Sequence, residues 1–349
     1  MKMAERIKAV TISGFEKIYQ MASIAKDVVN LAAGEPSFET PLHIREAAKK
    51  AIDEGYTHYT SVRGIRELRE AIAEKLATEN GIEANPDSDI LVIPGSSEGI
   101  LLSLFSLINP GDEVIYGDPG YPPYEAITRA LDGVIVRLPL REENKFKMSA
   151  EEVERRITNK TKVLVLNTPN NPTGSVLSKS EIEDLAEIVK KHGVFVISDE
   201  AYEKIIFDGK RHFSIGSIPD IEDQVISLFS FSKSHSMTGW RIGYLVAKGG
   251  FIDKIFNFQR HSIICANAIA QKAALAALQG PQDCVKEIRM EYQKRRDFTV
   301  KILNTIPGIR CLKPEGAFYA FPNISKFGLS SLDIFNRLAK WKVLTQLSL

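Results

Sequence analysis

The chain has 349 residues, 44% of them hydrophobic, and a formal net charge of +1. That much apolar material excludes a disordered chain, and the balanced charge offers no electrostatic footprint for nucleic acid or for an anionic membrane. No apolar run is long enough to cross a bilayer, and the amphipathic, mixed-charge start MKMAERIKAVTISGF lacks the apolar stretch of a signal peptide.

The first forty or so residues are expected to pack with the end of the chain. From about residue 85 to 250, apolar β-rich runs alternate with helical patterns. The strand-like runs are 89–95, 112–120, 133–140, 162–170, 193–202, 224–232 and 241–247. Helical patterns cover 97–108, 124–131 and 178–193. In the last, Ser178 and Glu181 form a capping box and Gly193 is a helix stop. Strands joined by helices in this way predict a mostly parallel sheet in an α/β domain. The alanine-rich stretch 251–280 is predicted helical, followed by a long charged helix over 283–305. Short strands and an amphipathic LDIFNRLAKW close the chain as a smaller α/β unit. Cys265, Cys284 and Cys311 are odd in number and lack CxxC spacing, which predicts reduced thiols in a cytoplasmic protein and neither a disulfide framework nor a metal site.

In open α/β sheets, ligands sit beyond the carboxyl ends of the strands. Here those ends are polar. Ser96 and Ser97 follow the first run and open a helix, as a phosphate site or as a plain N-cap. NTPNNPTG (167–174) offers amides, or only a turn. Asp199, in SDEAY, needs a partner, either an ion pair or a ligand. Lys233, in SFSKSHSMTGWRIGY (230–244), would have a lowered pKa if desolvated near other cations, and so serve as an amine nucleophile for a carbonyl. Arg241 supplies a rigid fork for phosphate. Together these ends match the needs of pyridoxal phosphate: an amine, a carboxylate and phosphate donors.

On SFSKxxxMTGWRIGY, NxPNNPTG and SDEAY, and from AGEPSFETP (33–41) to PEGAFYAFP (314–322), the chain resembles the class I and II aminotransferases, which are fold type I pyridoxal-phosphate enzymes. The resemblance implies a three-layer αβα large domain with a mostly parallel sheet at 42–282, and a small α/β domain from 1–41 and 283–349. It implies that Lys233 binds the cofactor covalently and moves the proton, and that Asp199 keeps the pyridine nitrogen protonated. Tyr202 and Asn171 would bond the ring hydroxyl oxygen, and Tyr121 would stack on the ring. Ser96, Ser97, Ser230 and Arg241 would hold the phosphate. Tyr59 would reach the phosphate of a neighbouring subunit in a homodimer with shared sites. Gly34 and Asn171 would lie close to the substrate. The implied reaction moves an amino group between an L-amino acid and a 2-oxo acid, with 2-oxoglutarate and glutamate as one pair, by a ping-pong sequence. Family members carry an arginine near the C-terminus for the substrate α-carboxylate. No residue of WKVLTQLSL matches it, and Arg337, within the amphipathic helix, is expected to face solvent or to be paired. The chain is therefore expected to be C-terminally incomplete relative to the family. Arg63 and Arg260 are the candidates for a second substrate carboxylate. A lyase of the same fold and a catalytically impaired cofactor-binding protein are the alternative readings.

Overall fold

A computed structural model of the chain describes Ala4, Arg6 and residues 29–345. Most of the amphipathic start and the last four residues lie outside the described part. The first described strand is β1 (Val29–Leu31). Seven strands then build the central sheet: β2 (Ile90–Ile93), β3 (Glu113–Asp118), β4 (Val134–Pro139), β5 (Thr161–Asn167), β6 (Phe195–Asp199), β7 (Val225–Ser230) and β8 (Gly243–Ala247). Their order is β2-β8-β7-β6-β5-β3-β4. β3, β4, β5, β6 and β7 pair in parallel, while β8 runs antiparallel to both β2 and β7. All seven coincide with the apolar runs of the sequence; β8's reversed direction is not legible there.

Alternate residues of each strand enter opposite cores. Leu91, Ile93, Val165, Ile197 and Leu228 pack with the helices Ser96–Leu107 and Phe251–Ser262 on one face. Ile90, Val92, Phe229 and Tyr244 pack on the other with the helices Leu42–Asp53, Arg66–Lys75 and Ala268–Gln279. On that same face Leu164, Leu166 and Val196 meet the helix Lys179–His192. The result is a three-layer αβα fold with central strands buried on both faces. The capping box of Lys179–His192 forms as its residues require, with Ser178 accepting from Glu181 and Gly193 at φ 63° closing the helix.

The stretch 251–280 is two helices rather than one. Asn267 accepts from Ala270 N at 2.9 Å and caps the second, and Ile264 stands at φ 66° in the break. A capping amide offers the backbone an alternative to continuing the helix. The long helix Asp283–Leu303 is followed by the short strands β9 (Arg310–Cys311) and β10 (Pro322–Asn323), the helix Ser331–Lys340 and β11 (Val343–Thr345). β11 pairs in parallel with β1, Val29 opposite Val343, so the first described strand joins the tail.

Candidate active site

The parallel strands end at one edge of the sheet. β5 ends in Asn167, β6 in Asp199 and β7 in Ser230. Because β8 runs the other way, its entrance lies at that same edge, with Gly243 opposite both Ser230 and Ile93. The reversed strand is thus what delivers Arg241 to the strand ends. A cavity of about 560 Å³ opens there. Ser96, Ser97, Tyr121, Asn171, Asp199, Tyr202, Ser230, Lys233, Arg241 and Gly34 all line it. Tyr59 does not. It is 79% exposed, on the loop that follows the helix Leu42–Asp53.

Lys233 lies in the short helix Phe231–Ser234, which Ser230 caps by accepting from Ser232 N at 3.1 Å. Its ammonium donates to the Gly34 carbonyl and lies 5.7 Å from the ring centres of Tyr202 and Phe318. Burial pushes this amine down to about 8, with Arg241 acting the same way and Asp199 and Glu35 against it. Asp199 is 5% exposed. Its carboxylate accepts from Tyr124 Oη at 2.6 Å and from Ala201 N at 3.2 Å. Burial raises its pKa, which these two donors and Lys233 oppose. Tyr202 Oη meets Tyr319 Oη at 2.5 Å.

The opposite wall is a cluster of hydrogen-bond donors. Gly95, at φ 83°, caps the helix Ser96–Leu107, and neither serine does. The plain N-cap reading of Ser96 and Ser97 therefore fails; the Ser97 hydroxyl instead lies 3.5 Å from Tyr121 Oη. Arg241 donates to Thr238 O at 2.9 Å and Pro94 O at 3.4 Å, and among the described residues no carboxylate lies within 4.0 Å of it. A Cβ on Gly95 would stand 2.8 Å from Arg241 Nη2, so only glycine leaves the guanidinium its place. Asn171 Oδ1 is buried with no partner among the described residues, an arrangement that calls for a ligand. A guanidinium without an acidic partner among the described residues, beside two cavity-lining serines, a desolvated amine and a buried carboxylate, fits a phosphorylated pyridine aldehyde.

Two residues were missed in the sequence. Tyr124 lies one helical turn after Tyr121, and its bond to Asp199 spans 75 positions. Tyr319 lies within PEGAFYAFP and lines the cavity; besides meeting Tyr202, it stands where a Cβ on Gly34 would come 2.6 Å from its Oη. Of the arginines considered for substrate carboxylates, Arg63 is paired with Asp253, and Arg260 and Arg337 are exposed. None lines the cavity.

Residues 26–347 match the family described as aminotransferase class I and II. The chain is 41% identical over 335 residues to an aspartate aminotransferase of Pyrococcus abyssi, covering 95% of this chain and 86% of that one. It is 39% identical over 342 residues to aromatic-amino-acid aminotransferase 2 of Thermococcus litoralis, covering 97% and 88%. The solved aspartate aminotransferase from Thermus thermophilus with maleate superimposes with a TM-score of 0.93 at 34% identity, covering 99% and 91%.

Proposed function

We propose, because this chain belongs to the class I and II aminotransferase family, that its cavity seats pyridoxal 5'-phosphate over Lys233 and exchanges amino groups between an L-amino acid and a 2-oxo acid. Membership carries the cofactor and the reaction class: the chain is a pyridoxal-phosphate-dependent aminotransferase. Relatives named as aminotransferases do not favour a lyase of the same fold or a non-catalytic cofactor carrier. The observation that carries the site assignment is a buried amine, Lys233, between a buried carboxylate, Asp199, and a guanidinium free of acidic partners, Arg241.

When bound, the cofactor supplies an aldehyde that condenses with amines and a ring that takes up electron density from the substrate Cα. Asp199, fixed by Tyr124, would hold the ring nitrogen in its protonated form. Tyr202 and Asn171 would bond the ring oxygen, and Tyr121 would cover the ring face. Ser96, Ser97, Ser230 and Arg241 would hold the phosphate. The Lys233 amine would take the Cα proton as general base and return it as general acid. Gly34 and Asn171 border the substrate. Glutamate and 2-oxoglutarate form one substrate pair.

Tyr59, exposed and outside the cavity of its own chain, completes the phosphate site of a second copy, and the enzyme works as a homodimer. The large domain spans 42–282 and the small one joins both ends of the chain. A cytoplasmic location is supported by three free thiols; no helix of the described residues is long and apolar enough to cross a membrane.

The test is borohydride reduction of the loaded chain followed by peptide mapping. The reduced cofactor is expected on Lys233, and K233A should retain none. A label on another lysine, or none on the wild type, overturns the assignment.

A further inference from the structure

The turn after β6 carries two cavity side chains and two carboxylates that the proposed reaction does not use. Asp199 and Tyr202, three residues apart, line the cavity. Glu200 and Glu203, also three apart, do not; their carboxylates are held by the protein behind it. Glu200 is 0% exposed. Its Oε1 accepts from Ser198 Oγ at 2.9 Å. Its Oε2 lies 2.5 Å from His212 Nε2 and accepts from Ser214 Oγ at 2.5 Å. Its backbone N donates to Leu228 O of β7 at 2.9 Å. Asn80 Nδ2 then bridges Ser214 Oγ and Glu203 Oε2, both at 2.8 Å. Glu203 is paired in turn with Lys75, whose ammonium lies 4.6 Å from the centre of the Phe229 ring.

These contacts form one connected polar network. It runs from the 212–214 loop, through the back of the turn, to the end of the helix Arg66–Lys75. A buried carboxylate without its donors is strongly disfavoured, so the turn has one favourable seat: the one in which Glu200 meets all three donors. Asp199 and Tyr202 are joined to that seat by the adjacent backbone.

We propose that Glu200, held by His212 and Ser214, is a positioning residue that sets where Asp199 and Tyr202 stand in the cavity. The proposal rests on the site assignment above. It assigns Glu200 no contact with cofactor or substrate.

The experiment compares the loaded wild type with E200Q, S214A and L185A. Gln at 200 turns an amide N–H₂ toward donors, and S214A removes one donor with little change in shape. Leu185 lies in the core of the helix Lys179–His192, away from the site, so L185A lowers stability without touching the turn. Three quantities are read for each: the pyridoxal-phosphate dissociation constant, kcat and KM for the amino donor, and the unfolding temperature of the cofactor-free chain. E200Q is expected to weaken cofactor binding and to lower kcat, each by about tenfold or more, with KM changed far less. S214A should do the same to a smaller degree, and L185A should change only the unfolding temperature. S214A carries the test if E200Q does not fold. Unfolding temperatures that fall while cofactor affinity and kcat stay at wild-type values in E200Q and S214A would reduce the network to a structural role and overturn the proposal. A wild type that takes up no cofactor would instead refute the site assignment itself, before any variant is compared.

Discussion

Replacing Arg241 by alanine separates cofactor binding from folding. In the fold, the guanidinium makes two hydrogen bonds to backbone carbonyls, at 2.9 Å and 3.4 Å, and the residue is exposed. Losing such contacts at an exposed position costs stability of about 1 kcal/mol or less. On a phosphate, the same guanidinium supplies charge-assisted hydrogen bonds at the mouth of a largely buried cavity. Removing a charged donor there costs about 3 kcal/mol, or roughly a hundredfold in dissociation constant. R241K keeps the charge but loses the planar fork, so it should fall between the two. The assay is titration of the cofactor-free chain with pyridoxal phosphate, followed by visible absorbance, beside thermal unfolding of the same samples. R241A should bind about a hundredfold more weakly and unfold within a few degrees of wild type. An unchanged dissociation constant in R241A would mean that the phosphate is held elsewhere, and the reasoning from a guanidinium without an acidic partner would fail.

Lys233 titrates near 8 in the fold against 10.5 ordinarily. Between these values the unfolded chain keeps a proton that the folded chain has lost, so stability should rise with pH through that window. Below it, burying the ammonium costs up to about 3 kcal/mol. K233M should therefore raise the unfolding temperature of the cofactor-free chain at pH 7, with the gain fading toward pH 10; calorimetry at both values checks this, and a gain that does not fade would contradict it. Y124F removes the 2.6 Å bond to Asp199, which should destabilise the cofactor-free chain by about 1.5 to 3 kcal/mol. Cofactor loading should narrow that gap by giving Asp199 a new partner, as denaturant melts with and without cofactor would register. Y59F should leave unfolding unchanged, since the side chain is exposed. If Tyr59 completes a second copy's phosphate site as proposed, the substitution should nevertheless weaken cofactor binding several-fold, and cofactor titration of Y59F at high protein concentration reads this.

Much of this was legible from local pattern. The seven sheet strands follow apolar runs, and the capping box at Ser178 and Glu181 forms as written. Those features depend on residues a few positions apart. What the sequence left hidden depends on pairings across the chain. The antiparallel course of β8 is set by its neighbours β2 and β7, and only that course turns Arg241 toward the other strand ends. Tyr124 has no signal of its own beyond its spacing from Tyr121, because Asp199 reaches it only once β6 and β3 share a sheet. On their own, Ser96 and Ser97 favoured the plain N-cap reading over a phosphate site, until Gly95, with its positive φ, proved to be the cap. The break at 263–267 lies between two helix-forming stretches, 251–262 and the alanine-rich 268–279, and Asn267 marks where the second begins.

The most direct test of the whole account is the half-reaction. The chain loaded with pyridoxal phosphate should show a visible absorption band that bleaches when L-glutamate is added and returns with 2-oxoglutarate, and K233A should show no such cycle. A loaded chain whose band is unchanged by glutamate and by every other amino donor would contradict the account, because the cavity would then hold the cofactor without exchanging an amino group.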